Sequence, residues 1–185
     1  MNQVSTVHVP VLLDEVLARL HGELAPRSYL EIGVRRGHSL ALARCAALGV
    51  DPVPEVEVAL APKTEIVACE SDVFFEATRP GLAPELAFID GLHLFEQALR
   101  DFMQVERIAR PGSVLLIDDI FPNHPKQALR ERVTRAWTGD VWKLAEVLRT
   151  HRPDLFVLPL DTHPSGMLLV AGLDPANRVL WNQYN

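Results

Sequence analysis

Apolar positions recur along the chain in two periods. Leu13, Val16, Leu17 and Leu20 fall at i, i+3, i+4 and i+7, so the segment after Pro10 reads as an amphipathic helix ending near Gly22 and Pro26. Tyr29 to Ile32, Leu48 to Val50, Glu65 to Cys69, Leu86 to Asp90 and Val114 to Ile117 are short apolar runs bounded by glycine, proline or acids, the pattern of buried strands. Helical spacing appears between them. It is carried by Leu40, Leu42, Ala43, Ala46 and Ala47 after Gly37, and by Phe95, Ala98, Leu99, Phe102 and Val105 before the stop at Arg110-Pro111-Gly112. Lys126 to Ala136 is also predicted to be helical. Thr138-Gly139-Asp140 is suited to cap one more helix, with Val141, Leu144, Ala145 and Leu148 on its buried face and Asp140 near the positive end of its dipole. Pro52 to Lys63 reads as a loop. Leu155 to Leu160 and Met167 to Leu173, joined by Asp161 to Gly166, read as a closing antiparallel hairpin.

Strands alternating with helices and then a hairpin imply an α/β fold, a mostly parallel doubly wound sheet with one reversed strand. Ligands of such sheets bind outside the carboxyl ends of the strands. That rule gathers Glu31, Asp51, Glu70 to Asp72, Asp90 to His93, and Asp118 with Asp119 on one rim. The length of 185 residues with 48% hydrophobic content suits one domain. A net charge of −6, with no basic run longer than Arg35-Arg36, provides no footprint for a phosphate backbone and argues against nucleic acid as a partner. Cys45 and Cys69 lack C-x-x-C spacing, which suits a reducing compartment. No apolar run approaches the roughly 18 residues of a membrane helix, and no basic region followed by an apolar core stands at the N-terminus. The expectation is a soluble, cytoplasmic protein without membrane association.

Ser28 to Ser39 combines a strand, a turn with two glycines and a helix start whose unpaired N–H groups would help to seat a nucleotide-sized ligand. Its pattern is Glu31-x-Gly33-x-x-x-Gly37, not the G-x-G-x-x-G that receives a pyrophosphate, which disfavours a dinucleotide oxidoreductase. Asp51 lies 18 residues past Gly33, where a doubly wound fold places an acid on ribose hydroxyls; a turn residue before Pro52 is the plainer alternative. Ser71 and Asp72 are candidates for adenine or ribose contacts, or else the N-cap of a helix through Val73, Phe74 and Phe75. Asp90 and the pair Asp118-Asp119 end strands expected to be neighbours, and three carboxylates in one cleft repel unless a cation neutralises them. Oxygen ligands with open positions suit magnesium, and His93 in the same cleft can take a proton from a substrate hydroxyl. Ordinary turn acids and a helix-start histidine remain the alternative.

Glu31 to Ser39, Phe88-Ile-Asp-Gly-Leu-His93 and Leu115-Leu-Ile-Asp-Asp119, in this order, resemble class I S-adenosylmethionine (SAM) dependent methyltransferases. The resemblance spans about residues 27 to 173 and is nearest to small enzymes related to macrocin-type sugar O-methyltransferases and cephalosporin-hydroxylase-like proteins. It implies a Rossmann-like sheet of seven strands with helices on both faces, a helical segment over 1–26 and a SAM-dependent domain over 27–185. It further implies a cofactor site including Glu31, Gly33, Gly37, Ser39, Asp51, Ser71, Asp72 and Asp90. Magnesium would be held by Asp90, Asp118 and Asp119, with His93 as general base. Catechol O-methyltransferase has an acid-asparagine pair where this chain has Asp118-Asp119, a departure that argues against catechol-like acceptors. Trp137 to Lys143 also looks family-like and is assigned no role. The start His8 to Leu17 with Gly37-His-Ser39 is similar to ribosomal RNA cytosine N4-methyltransferases, which share the cofactor but are longer and basic. The expected acceptor is a small hydroxylated molecule such as a sugar or natural product. With few residues beyond the core fold, completion of the acceptor pocket falls to the N-terminal helix or to a second chain, as in a homodimer. A non-catalytic SAM or nucleotide binding module, or a partner subunit, is the alternative from another class.

Overall fold

A computed structural model describes residues 11–77 and 81–184. Residues 1–10 of the N-terminal segment, including His8 to Pro10 of the second resemblance, lie outside the described residues. The elements run β1 (Val11–Leu12), α1 (Leu13–Leu24), β2 (Ser28–Ile32), β3 (Ala46–Val50), β4 (Thr64–Val67), α2 (Ser71–Glu76), β5 (Leu86–Ile89), α3 (Phe95–Ile108), β6 (Val114–Asp118), α4 (Lys143–His151), β7 (Phe156–Leu160), β8 (Thr162–His163), β9 (Met167–Ala171) and α5 (Val179–Gln183). Seven strands form one sheet in the order β4-β3-β2-β5-β6-β9-β7. All neighbours are parallel except β9, which runs antiparallel to both β6 and β7. The single reversed strand and the closing hairpin are therefore where the apolar pattern puts them. A short parallel pair, β1 with β8, ties the start of α1 to the hairpin connection.

Alternation along each strand divides the core in two. Leu30, Ile32, Ala87, Ile89, Leu115, Ile117, Leu168 and Val170 point to a face covered by α2, α3, α4 and α5. Tyr29, Leu86, Phe88, Leu116 and Met167 point to the other, where Leu17 of α1 and Leu40 complete the packing. This second face carries one long helix. The helix expected after Gly37 is a single 3₁₀ turn, Leu40–Leu42, and Ala46 and Ala47 belong to β3. Chain length explains the difference. The connection must return along a strand of five residues, about 16 Å, and the eight residues between Gly37 and Ala46 would span only about 12 Å as an α-helix.

Lys126 to Ala136 is not helical either; turns such as Gln127 N–H to His124 O (2.8 Å) replace the ladder. Leu129 and Val133, the i and i+4 pair of that stretch, stay exposed, so a helix there would bury no apolar face. Asp140 corrects a third expectation. Its Oδ1 accepts the Phe95 N–H (2.8 Å) at the start of α3, and its Oδ2 meets Lys143 Nζ (2.8 Å) and Arg130 Nη1 (2.8 Å). It caps the helix after His93 in addition to preceding α4.

Candidate active site

The register of the central strands sets the site. Phe88 pairs with Leu116 and Ile89 with Ile117, so Asp90 and Asp118 follow side by side, next to the turn after β2. Gly33 (φ +90°) leaves β2 so close to β5 that a Cβ would stand 1.9 Å from Asp90 O. Gly37 (φ +79°) closes the turn with its N–H on Val34 O (2.8 Å), and a Cβ there would meet Val56 Cγ1 at 3.1 Å. The loop after β3 thus lies directly on the glycine turn, held by Glu55 N–H to Arg35 O (2.8 Å) and Glu57 N–H to Arg36 O (3.0 Å).

Asp51 is the staple between these loops. Its Oδ2 accepts the N–H groups of Val34 (2.9 Å) and Arg35 (2.7 Å), and its Oδ1 that of Val53 (2.8 Å). Glu31 is fully buried and bonded to Tyr29 Oη (2.6 Å) and Ser39 Oγ (2.7 Å). Burial pushes its carboxyl up to about 7, against the pull of those two hydrogen bonds and with the charges of Asp14 and Asp51 adding to the rise. Ser71 and Asp72 open α2, and both are engaged from α3: Gln97 Nε2 reaches Ser71 Oγ (3.0 Å), and Arg100 Nη2 reaches Asp72 Oδ2 (3.1 Å). Within the expected cofactor rim Asp51 therefore fastens backbone, whereas Glu31, Ser71 and Asp72 are held by other side chains.

The acids at the ends of β5 and β6 converge with His93. His93 Nδ1 lies 2.7 Å from Asp119 Oδ2, at ion-pair distance though without the alignment of a hydrogen bond, and His93 Nε2 lies 3.9 Å from Asp90 Oδ1. Asp119 adopts φ +68°, which turns its carboxylate out of strand alternation and toward the imidazole. Asp118 keeps the strand direction and accepts from Ser165 Oγ at 3.4 Å. Asp90, His93 and Asp119 each offer a ligand atom within 4.8 Å of the others, so the ligand group contains the histidine and leaves Asp118 aside. Together with Gly91, Leu92, Ala98 and Val141, these acids and His93 line a small cavity.

The electrostatics are those of uncompensated negative charge. Withdrawal from water, then the charges of Asp118, Asp119 and Glu31, hold Asp90 well above the ordinary carboxylate range, with Arg35 opposing. Burial, then Asp119, pushes Asp118 up to about 7. Burial alone would lower His93, but the Asp119 carboxylate, the Trp137 backbone and the Asp118 charge more than reverse it, and the imidazole is raised. A cation or a proton relieves such a cluster.

Three residues given no such part by sequence hold the histidine. The Trp137 ring stacks on the imidazole at 5.1 Å and 7°. Gly139 (φ +57°) passes so close that a Cβ would stand 1.7 Å from His93 O, and Asp140 caps the helix that follows. The signal available was the Trp137 to Lys143 segment itself, in which Gly139 and Asp140 follow Trp137 within three residues.

Residues 30–120, from the second residue of β2's apolar run to just past Asp119, match the family model of a methyltransferase domain. This match and the architecture together support a class I SAM-dependent methyltransferase. Solved structures agree on the architecture. Cofactor-bound Rv0187 from MTB superposes on the methyltransferase with a TM-score of 0.71 at 20% identity, covering 93% of this chain and 84% of that one. The O-methyltransferase TomG from Streptomyces achromogenes, involved in tomaymycin synthesis and solved with SAM, gives 0.63 at 19% identity over 85% and 78%. An O-methyltransferase from Bacillus cereus in complex with SAH gives 0.58 at 13% identity over 85% and 80%. At these identities the likeness is one of fold. No curated protein sequence matches the methyltransferase. Among its described residues no helix is long and apolar enough to cross a membrane, and both cysteines are free.

Proposed function

We propose that the enzyme transfers a methyl group from SAM to a hydroxyl of a small molecule, with His93 as general base. The observation that carries this reading is the His93-Asp119 pair, 2.7 Å apart and braced by the Trp137 ring, beside the Gly33 to Gly37 turn. The rim fits the cofactor in charge: the acids around Asp90 are short of positive partners, and SAM carries a sulfonium and an ammonium. When bound, SAM supplies an electrophilic methyl group. His93 Nε2 faces the cleft and takes the proton of the acceptor hydroxyl, while Asp119 beside Nδ1 stabilises the imidazolium that results. Trp137 and Gly139 keep the ring in one plane, so most of the acceleration comes from alignment. Asp51 holds the glycine turn in the shape that seats the cofactor.

The same acids fit a divalent cation, which would be held by Asp90 and Asp119 and would supply charge that favours an ionised hydroxyl. Magnesium prefers oxygen and would leave His93 free as base, whereas a softer ion would take the imidazole as a ligand. The test is methyl transfer from SAM to hydroxylated acceptors followed by mass spectrometry, with SAH affinity measured in parallel. His93→Ala is expected to lose about 100-fold or more in turnover while keeping SAH affinity. An unchanged rate removes His93 from the chemistry, and full activity in chelator removes the metal. SAH binding without transfer to any acceptor would leave the protein a binding module.

A further inference from the structure

The outer edge of the sheet at β7 is open. β7 is the last strand in the sheet order, and among the described residues no strand pairs with its outer side. It carries no charged residue, and Pro159 alone blunts it as an edge. Phe156 and Leu158 stand 59% and 41% exposed on it. By alternation they share the face of Leu160, the one that carries a single long helix.

Only Asp161 separates β7 from β8, and β8 has a partner: Val11 of β1 stands opposite Thr162 and Leu12 opposite His163, in parallel. Thr162 O accepts the Gly166 N–H (2.8 Å) on the hairpin side, so the backbone groups of Asp161 and His163 are those that face β1. The same alternation turns the Val157 N–H and the Pro159 nitrogen outward, the side on which an edge strand tolerates proline. β1 therefore lies on the side of the chain that is left open along β7.

Carried back without a slip, the register of β1 sets Val9 opposite Leu160, Val7 opposite Leu158 and Ser5 opposite Phe156. Residues 5–9 match the five of β7, each run about 16 Å long as a strand. Val7, Val9 and Val11 alternate with Thr6, His8 and Pro10, the period of a strand with one apolar face, and this register puts the valines on the face of Leu158 and Leu160. Pro10 falls where its missing N–H would point away from the sheet. We propose that residues 5–9 continue β1 along β7 as an eighth, parallel strand, and that this segment rather than a second copy of the chain covers Phe156 and Leu158. Val11 already fixes its end and its register, so the pairing is intramolecular and outcompetes a separate chain. The strand also braces the candidate site, because the connection after β8 carries Ser165, whose Oγ donates to Asp118 (3.4 Å).

Disulfide trapping in the full chain tests the register, on a background in which Cys45→Ala and Cys69→Ala remove both native thiols. Val7→Cys with Leu158→Cys puts two thiols on one face with Cα atoms about 5 Å apart, within the reach of a disulfide. Thr6→Cys with Leu158→Cys is the control, with its side chains on opposite faces. Mild oxidation of dilute protein is expected to close the first pair within one chain at least about 10-fold faster than the second, read by mass spectrometry and non-reducing gels. Equal rates, no bridge in the first pair, or a bridge between two chains each overturn the proposal, the last by making a second copy the occupant. Amide hydrogen exchange on the otherwise native chain checks the same contact without a cross-link. Val7→Pro is expected to speed exchange of the outward Val157 amide by about 10-fold or more while the β9-facing Leu158 amide keeps its rate. A Val157 rate that does not change overturns the eighth strand.

Discussion

Gly139→Ala perturbs the candidate site through backbone alone. Gly139 has φ +57°, and a left-handed conformation costs an alanine about 1–2 kcal/mol. The added Cβ would also stand 1.7 Å from His93 O and 2.7 Å from His93 C, both backbone atoms that cannot rotate away. The 137–140 segment must therefore retreat by more than about 1 Å, beyond the reach of the contacts it makes. The Asp140 bond to the Phe95 N–H, worth about 1.5–3 kcal/mol as a charge-assisted bond, is then strained, as is the Trp137-His93 stack at about 0.5–1.5 kcal/mol. The expected loss is about 3–6 kcal/mol if the segment stays docked, or detachment of the segment at a smaller cost. Gly112→Ala is the matched control: φ is +88°, nothing lies within 4 Å of the Cβ position, and only the conformational cost of about 1–2 kcal/mol applies. Urea melts of both variants and the wild type, with the His93 ring signals followed by NMR, separate the two contributions. If Gly139→Ala lowers stability no more than Gly112→Ala and leaves the His93 signals in place, the account of how the histidine is held is wrong.

Other expected outcomes follow from buried charges. Arg152 is fully buried between Glu106 (2.6 Å) and Asp154 (2.8 Å), so Arg152→Met strands the buried Glu106 carboxylate and should cost about 3–5 kcal/mol in urea denaturation; an unchanged midpoint would refute this. Glu31, raised from 4.5 to about 7, holds its proton more tightly folded than unfolded, so it lowers stability progressively as pH rises from about 4.5 through 7. Glu31→Gln should therefore gain up to about 3 kcal/mol on the wild type at pH 8 relative to pH 4, read from paired melts, and a difference independent of pH would contradict the burial argument. Asp51→Ala removes the acceptor for three N–H groups and should weaken SAH binding about 10-fold or more by calorimetry, with far-ultraviolet circular dichroism unchanged. Wild-type affinity in that variant would show that the glycine turn holds its shape without the staple.

What the sequence alone determined was whatever depends on near neighbours. Short continuous apolar runs such as Leu86 to Ile89 and Val114 to Ile117 marked the strands, and the carboxyl-end rule singled out Asp90, His93, Asp118 and Asp119. The helix pattern of Phe95 to Val105 held because one face of α3 buries Ala98, Leu99, Phe102 and Val105. The same spacing failed after Gly37 and over Lys126 to Ala136, where the distance to the next strand and the lack of a burial surface decide, and neither is a local property. Tertiary structure alone also sorted the acids. Only Asp119's left-handed backbone turns it to His93 while Asp118 stays with Ser165, and only the packing of Gly139 on His93 brings Trp137 from more than forty residues away to the imidazole. Periodicity reports which side chains share a face, whereas the direction of a carboxylate at a strand end depends on one φ angle and on a distant segment that has to dock against it.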